Sequence, residues 1–209
     1  TIQMFGDDAT LEVDHITSSW AHVYASQDVM VLAEPANDWW WFWRNSGWDD
    51  ATNIHVFDIS DPTETTYVAS GRVDGTVQDQ FSLSEHNGVI RVATTEDAWG
   101  RWWLEGEEWT GPTNNVFTLF AMECMIPEGC EGDSAELVQI GHVGDIAEGE
   151  RIWSARFVGD RAYLVTFRNI DPLWVIDLTD PTDPKILGEL EVPGVSTYIH
   201  PVDANTLLT

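Results

Sequence analysis

Basic residues are in shortest supply. The 209-residue chain carries nine Lys and Arg against 36 Asp and Glu, a net charge of −27 with His neutral, and Lys185 is its one lysine. Phosphate backbones are held by clustered Lys and Arg, so this balance argues against nucleic-acid binding. Adsorption to an anionic membrane surface is disfavoured for the same reason. Long hydrophobic runs are missing too. The stretch from Val116 to Met122 is broken by Thr118 and falls far short of the roughly 18 residues a membrane-spanning helix needs. No signal peptide is visible. The chain begins at Thr1 and stops at Thr209 inside an apolar run, which reads as an excerpt of a longer protein.

Cysteine is scarce as well. Cys124 and Cys130 flank Pro127, Glu128 and Gly129. They read as two free thiols or, in an oxidising compartment, as a local disulfide closing a Pro-Gly loop. A metal site is the weaker alternative, because no further Cys or His completes it nearby. Catalytic signatures are absent: there is no Gly-x-Ser-x-Gly elbow, His-Glu-x-x-His, phosphate loop or dinucleotide fingerprint. No Asn-x-Ser/Thr glycosylation site occurs, and the six histidines (His15, His22, His55, His86, His142 and His200) are dispersed.

Acidity is abundant, and it has two readings. Solvated carboxylates keep a protein soluble at high ionic strength, where their repulsion is screened, which fits a marine or salt-adapted source. The alternative is calcium, which takes several oxygen ligands. Acidic clusters occur at Asp7-Asp8, Asp49-Asp50, Glu105 to Glu108 and Glu128 to Glu136, but neither the EF-hand spacing nor the Gly-rich nonapeptide repeat is present.

The rest of the chain reads as β throughout. Short runs rich in Val, Ile, Thr, Tyr and Phe alternate with Gly, Pro, Asn and Asp clusters, and no capped helical stripe is found. A repeat lies under this pattern. Phe57-Asp58-Ile59-Ser60-Asp61-Pro62-Thr63 matches Ile176-Asp177-Leu178-Thr179-Asp180-Pro181-Thr182, with apolar or Ser/Thr exchanges where the residues differ. An apolar strand, a polar turn and a second apolar strand recur, the second strands beginning near Val29, Val89, Ala162 and Thr206. The last spacing, 44 residues, is close to the roughly 40–50 of a four-stranded propeller blade.

This predicts an all-β chain, one β-propeller segment of four-stranded antiparallel blades. Three blades fall near 20–73, 77–144 and 151–192, the next starts at 196–209, and residues 1–19 end a preceding unit. The predicted strands are 21–27, 29–34, 53–59 and 66–73, then 78–84, 89–95, 116–121 and 136–143, then 152–158, 162–168, 173–178 and 185–191, and finally 196–201 and 206–209. Each Asp-Pro-Thr is a turn between third and outer strands. Three blades and part of a fourth do not close a ring of four to eight, so further blades of the parent chain or of another chain are the expected neighbours.

One stretch also carries a family likeness. It runs from Gly149-Glu150-Arg151-Ile152-Trp153 to Val165-Thr166-Phe167, then through Asp171-Pro172-Leu173-Trp174-Val175-Ile176-Asp177-Leu178, Asp180-Pro181 and Leu187-Gly188-Glu189-Leu190 to Pro193-Gly194-Val195-Ser196-Thr197-Tyr198-Ile199-His200-Pro201. These residues resemble the secreted bacterial and archaeal proteins with a C-terminal β-propeller domain, distantly related to WD-repeat propellers. The match is specific over about 149–209 and looser over 11–95. The resemblance implies an exported protein, extracellular or in the cell envelope and often membrane-anchored. It carries over no catalytic residue. A propeller's central channel often holds ligands or metals, which makes His200, beside an inner strand, the foremost of the histidines.

Two insertions depart from that family pattern. Trp39, Trp40, Trp41, Phe42, Trp43 and Trp48 lie between the second and third strands of the first blade, and Trp99, Trp102, Trp103 and Trp109 between those of the second. Nine of the 12 tryptophans are therefore in two loops, which propeller topology puts on one face of adjacent blades. They either pack on one another as a satellite core or form a recognition platform for a glycan or protein, with Arg44 and Arg101 adding polar contacts. The reading is a non-enzymatic interaction or structural module. The alternatives are a propeller hydrolase or lyase using a channel metal such as calcium, and a salt-adapted scaffold with no specific ligand.

Overall fold

A computed structural model describes residues 13, 16–17, 20–36, 50–96, 114–122, 136–167, 172–191, 194, 196–203 and 205–209. The described residues form strands, turns and one turn of 3-10 helix. Strands β1 (His22–Ala25), β2 (Val29–Pro35), β3 (Ala51–Asp58) and β4 (Thr66–Asp74) pair in that order. The second sheet takes β5 (Thr76–Val77), β6 (Leu83–His86), β7 (Val89–Glu96), β8 (Asn114–Met122) and β9 (Leu137–Val143). The third is β10 (Arg151–Val158), β11 (Arg161–Phe167), β12 (Pro172–Asp177) and β13 (Lys185–Glu191), and β14 (His200–Asp203) with β15 (Thr206–Leu208) begins a fourth. Neighbouring strands in each sheet are antiparallel. The expected all-β fold of four-stranded propeller blades is what the chain adopts.

The blades stack through their apolar faces. On β2, Val29, Val31 and Ala33 are buried while Met30, Leu32 and Glu34, pointing the other way, are half-buried. The buried set joins Ile54, Val56 and Ala69 of the first blade to Leu83, Ile90, Val92 and Phe120 of the second. A second core joins Phe117 and Leu119 to Ile152, Leu164 and Ile176 of the third blade. A third joins Tyr163, Val165 and Leu173 to Ile199. Each core thus lies between successive blades, and the period-2 alternation of the strands assigns alternate residues to different interfaces.

Glycines let the outer strands approach. A Cβ on Gly71 of β4 would stand 2.8 Å from the Leu137 Cβ of β9, and one on Gly141 would collide with the Pro181 carbonyl. The Asp-Pro-Thr turn of the third blade therefore rests on the outer strand of the second. The two copies of this turn are built alike. Asp58 and Asp177 accept hydrogen bonds from the backbone and hydroxyl of Ser60 and Thr179, and Asp61 and Asp180 do the same for Thr63 and Thr182. These bonds hold the Asp61, Asp177 and Asp180 carboxyls below the ordinary carboxylate range. The residue after each first Asp donates equivalently, Ile59 to Asp28 O and Leu178 to Asp160 O.

Two segments depart from the expected strands. The inner strand of the second blade is not continuous over 78–84. Both β5 and β6 pair with β7, and residues 78–82 between them leave the ladder. The cause is Asp79, whose carboxylate accepts from the Phe81 and Ser82 backbone N–H groups at 2.8 and 3.2 Å and closes a 3-10 turn over Gln80–Ser82. Residues 196–199 are not strand either. They lie along β10, where Ser154 Oγ donates to Ser196 O at 3.2 Å and Arg156 Nε to Ile199 O at 2.9 Å.

A buried polar latch fixes the third blade to the second. The Ile152 N–H donates to Thr95 Oγ1 at 3.1 Å, and that hydroxyl donates to Asn115 Oδ1 at 2.8 Å. Asn115 Nδ2 donates to the carbonyls of Ile146 at 2.7 Å and Glu150 at 3.2 Å. Leaving buried partners unsatisfied costs about 1–3 kcal/mol, so Asn115→Ala should lower stability by about that amount in denaturant titration. Thr95→Val and the double variant should be non-additive by at least about 0.5 kcal/mol, since both residues serve one network.

Candidate functional site

The blades have two unlike ends. At one, short turns join first to second strands in each blade and third to fourth strands in the first and third blades, while residues 123–135 connect β8 to β9 in the second. At the other, Ala36 and Asp50 bound residues 37–49, and Glu96 and Asn114 bound residues 97–113. Both tryptophan-rich segments are therefore joined to the same end of adjacent blades. Trp39, Trp40, Trp41, Trp43, Trp48, Trp102, Trp103, Trp109, Arg44 and Arg101 themselves lie outside the described residues, as do Cys124 and Cys130.

A cleft of about 300 Å³ opens at that end. It forms where the first residues of three inner strands converge, because His22 begins β1, Thr76 begins β5 and Arg151 begins β10. Ala33, Pro35 and Val77 give it apolar walls, and Trp20, Gln78, Thr52 and Thr95 also line it among the described residues. Pro35 and Thr52 pair across β2 and β3 immediately beside the first insertion, and Thr95 precedes the second.

The lining side chains are positioned by named contacts. The Trp20 ring meets His22 edge-on at 4.9 Å between centroids. Burial holds the His22 imidazole below its usual range, with Asp79 acting in the opposite sense, so the ring is neutral at pH 7. The Arg151 guanidinium lies 5.0 Å over the Trp153 ring, which itself packs 5.6 Å from Phe167. The threonine hydroxyls serve the backbone and the latch: Thr52 donates to Gly75 O at 2.8 Å and Thr76 to Thr95 O at 3.3 Å.

A second groove of about 290 Å³ lies between β4 and β8–β9, with Arg72, Asp74, Glu96, Asn114, Gln139 and His142 in its lining. Nearer the inner strands, Arg156 is held between two rings, 4.2 Å over Phe81 and 5.1 Å over Tyr198, and donates to the Tyr198 hydroxyl at 2.7 Å. His200 stacks on Tyr198 at 6.3 Å and is exposed. The described histidines thus serve different places. His55 pairs with Glu34 and Tyr67, His86 with Asp160, and His22 faces the cleft. Among the described residues, no three of His, Cys, Asp and Glu come together in a way that could hold a metal ion.

Sequence reasoning missed the cleft. Trp20, His22, Gln78 and Arg151 are too far apart in the chain to form a motif. Aligning the starts of the inner strands across the blade repeat is the signal that brings His22, Thr76 and Arg151 together.

Comparison with known proteins bears on the whole chain. A family model described as Beta propeller domain matches residues 1–209. An uncharacterized protein of Methanocaldococcus jannaschii is 40% identical over 141 residues, covering 68% of this chain and 19% of that protein. An uncharacterized protein of Archaeoglobus fulgidus is 34% identical over 171 residues, covering 77% of this chain and 23% of that protein. The chain thus spans about a fifth of the length of these curated relatives.

Because the folded-state pKa of His22 is depressed, the unfolded chain takes up its proton first on acidification. The stabilising contribution is present above the unfolded value near 6.5 and is lost as pH falls through the folded one. His22→Gln should therefore flatten part of the stability loss between about pH 7 and pH 5, read from thermal midpoints.

Proposed function

The chain belongs to the beta-propeller domain family, and from that premise we propose an exported, acidic interaction module that binds a glycan through its tryptophan-bearing end. One observation carries this reading. The two segments that hold nine of the 12 tryptophans are joined to adjacent blades at the same end as a preformed cleft. Aromatic side chains bring large contact area at low entropic cost, which suits a platform for sugar rings or for a protein partner. Extracellular or cell-envelope placement follows from the resemblance to secreted propellers, and the acidic surface suits a salty medium. No helix among the described residues is long and apolar enough to cross a membrane.

The test is replacement of Trp40, Trp41, Trp102 and Trp103 by Ala in the full protein, read on a glycan array and by circular dichroism. The expected outcome is a native spectrum with glycan binding reduced at least about tenfold, the loss of roughly 1.4 kcal/mol or more. Loss of the fold would instead identify these residues as a satellite core, and the platform would lose its basis.

A further inference from the structure

We propose that Trp20 and Trp153 carry the glycan surface across the cleft onto the third blade, so that the protein binds a linear oligosaccharide along several rings rather than by one terminal ring. The proposal rests on the glycan reading above and names the form of glycan it selects.

The tryptophans among the described residues are Trp20, Trp153 and Trp174, and the fold uses them differently. Trp174 is committed to packing. Its ring lies against the second core, and its Nε1 donates to Thr166 Oγ1 at 3.3 Å. Trp20 and Trp153 belong to none of the three cores. Trp20 is 55% exposed, and its ring is set by the edge-on contact with His22. Trp153 is half-buried, and its indole N–H donates to no acceptor among the described residues. Both stand at the tryptophan end, Trp20 just ahead of β1 and Trp153 near the start of β10.

A β-bulge presents Trp153. Ile152 pairs with Thr166 and Ser154 with Val165, so Trp153 is an extra residue with no partner on β11. Ile152 and Ala155 both join the second core, although a regular strand would put residues three apart on opposite faces. The bulge absorbs the odd residue and turns Trp153 out of the alternation that buries its neighbours. Arg151, 5.0 Å over the ring, and Phe167, 5.6 Å from it, hold the indole in place. A ring already fixed loses little conformational freedom when a ligand arrives.

The cleft connects the two residues. Trp20 lines it from the first blade, and Arg151, whose guanidinium lies over Trp153, lines it from the third. Pro35, Thr52 and Thr95, beside the two insertions, share that lining. Aromatic positions are therefore spread over three blades: in the insertions of the first two, at Trp20, and at Trp153. One sugar ring covers one aromatic face, so a ligand that uses positions on different blades is a chain of rings. Each ring after the first is held close to the next position by its own linkage, and adds affinity at little further entropic cost.

The experiment titrates the full protein, by calorimetry, with chito-oligosaccharides and cello-oligosaccharides of one to six rings. At least one series should bind, the hexasaccharide at least about tenfold more tightly than the disaccharide. Trp20→Ala and Trp153→Ala should each remove about tenfold of the hexasaccharide affinity, bringing it toward that of the disaccharide. Trp153→Phe keeps a ring but loses the N–H, and should fall between. Trp174→Ala should do the reverse, lowering the melting temperature while the folded protein keeps its hexasaccharide affinity. Should Trp153→Ala fail to fold, Trp20→Ala and Trp153→Phe decide. Affinity independent of chain length, or hexasaccharide affinity unchanged in the folded Trp20 and Trp153 variants, overturns the proposal. Binding lost only in the tryptophan-segment variants overturns it as well and leaves the glycan reading standing. Binding of neither series overturns the proposal, and binding of no glycan on the array overturns the glycan reading with it.

Discussion

A four-stranded sheet with apolar residues on both faces cannot stand alone in water. Everything else in this structure follows from that constraint. Val31 and Ile54 on one side and Leu83 and Ile90 on the other are fully or almost fully buried only because the first two blades stack. The same holds for Phe117, Ile152 and Leu164 at the next interface. Fully burying such a side chain is worth about 1.5–3 kcal/mol, so the cores outweigh any single polar contact. Hydrophobic burial is non-directional, however, and does not fix how far one blade slides or turns against the next.

Directional groups supply that information at both ends of the second interface. At the tryptophan end, Asn115 and Thr95 tie the start of β10 and its preceding loop to the second blade. Toward the other end, buried Arg91 donates to Gly159 O at 2.6 Å and to Ser84 Oγ at 2.7 Å, with Phe157 4.9 Å beneath its guanidinium. Burial pushes its pKa down to about 10, and Tyr24, Glu85 and Asp160 act the other way, so it remains charged at neutral pH. Such a cation is bonded only to neutral groups among the described residues, which makes it a costly residue to bury and a poor source of net stability. Its geometric demand is what it adds: the β10–β11 turn must present Gly159 O to the guanidinium. Gly159 itself, at φ +54, provides the left-handed turn that does so.

The repeat was legible because its turns are chemically explicit. Asp-x-Ser/Thr followed by Asp-Pro-Thr specifies a bend through local bonds alone, so two copies more than a hundred residues apart could be matched by eye. Strand alternation then located the blades. What stayed hidden depends on contacts between blades. Nothing in Thr76 to Leu83 announces that Asp79 will outcompete the ladder, since the same residue caps turns and ends strands. Arg91, within an otherwise apolar run, reads as a solvated position until the third blade covers it. The cleft is hidden most completely, because its residues come from three inner strands and are adjacent only once those blades stack.

The difference between the two ends now has a physical account. The turn end is occupied by interblade bonds: Arg91 to Gly159, His86 to Asp160, and Pro181 against Gly141. Insertion into those particular turns would break contacts that set the stacking; the long connection at this end, residues 123–135, instead joins β8 to β9 of the second blade. At the opposite end, the second and third strands finish at Pro35–Thr52 and Glu96–Asn114, and the latch lies just inside the sheet. Residues added beyond those pairs leave register intact, because loop length costs little once the strands beneath are fixed. The fold can therefore carry tryptophan-rich segments at this end without disturbing the interblade bonds of the turns. The same convergence of strand starts that seats the latch also opens the cleft, so the scaffold that tolerates the insertions places a recess beside them.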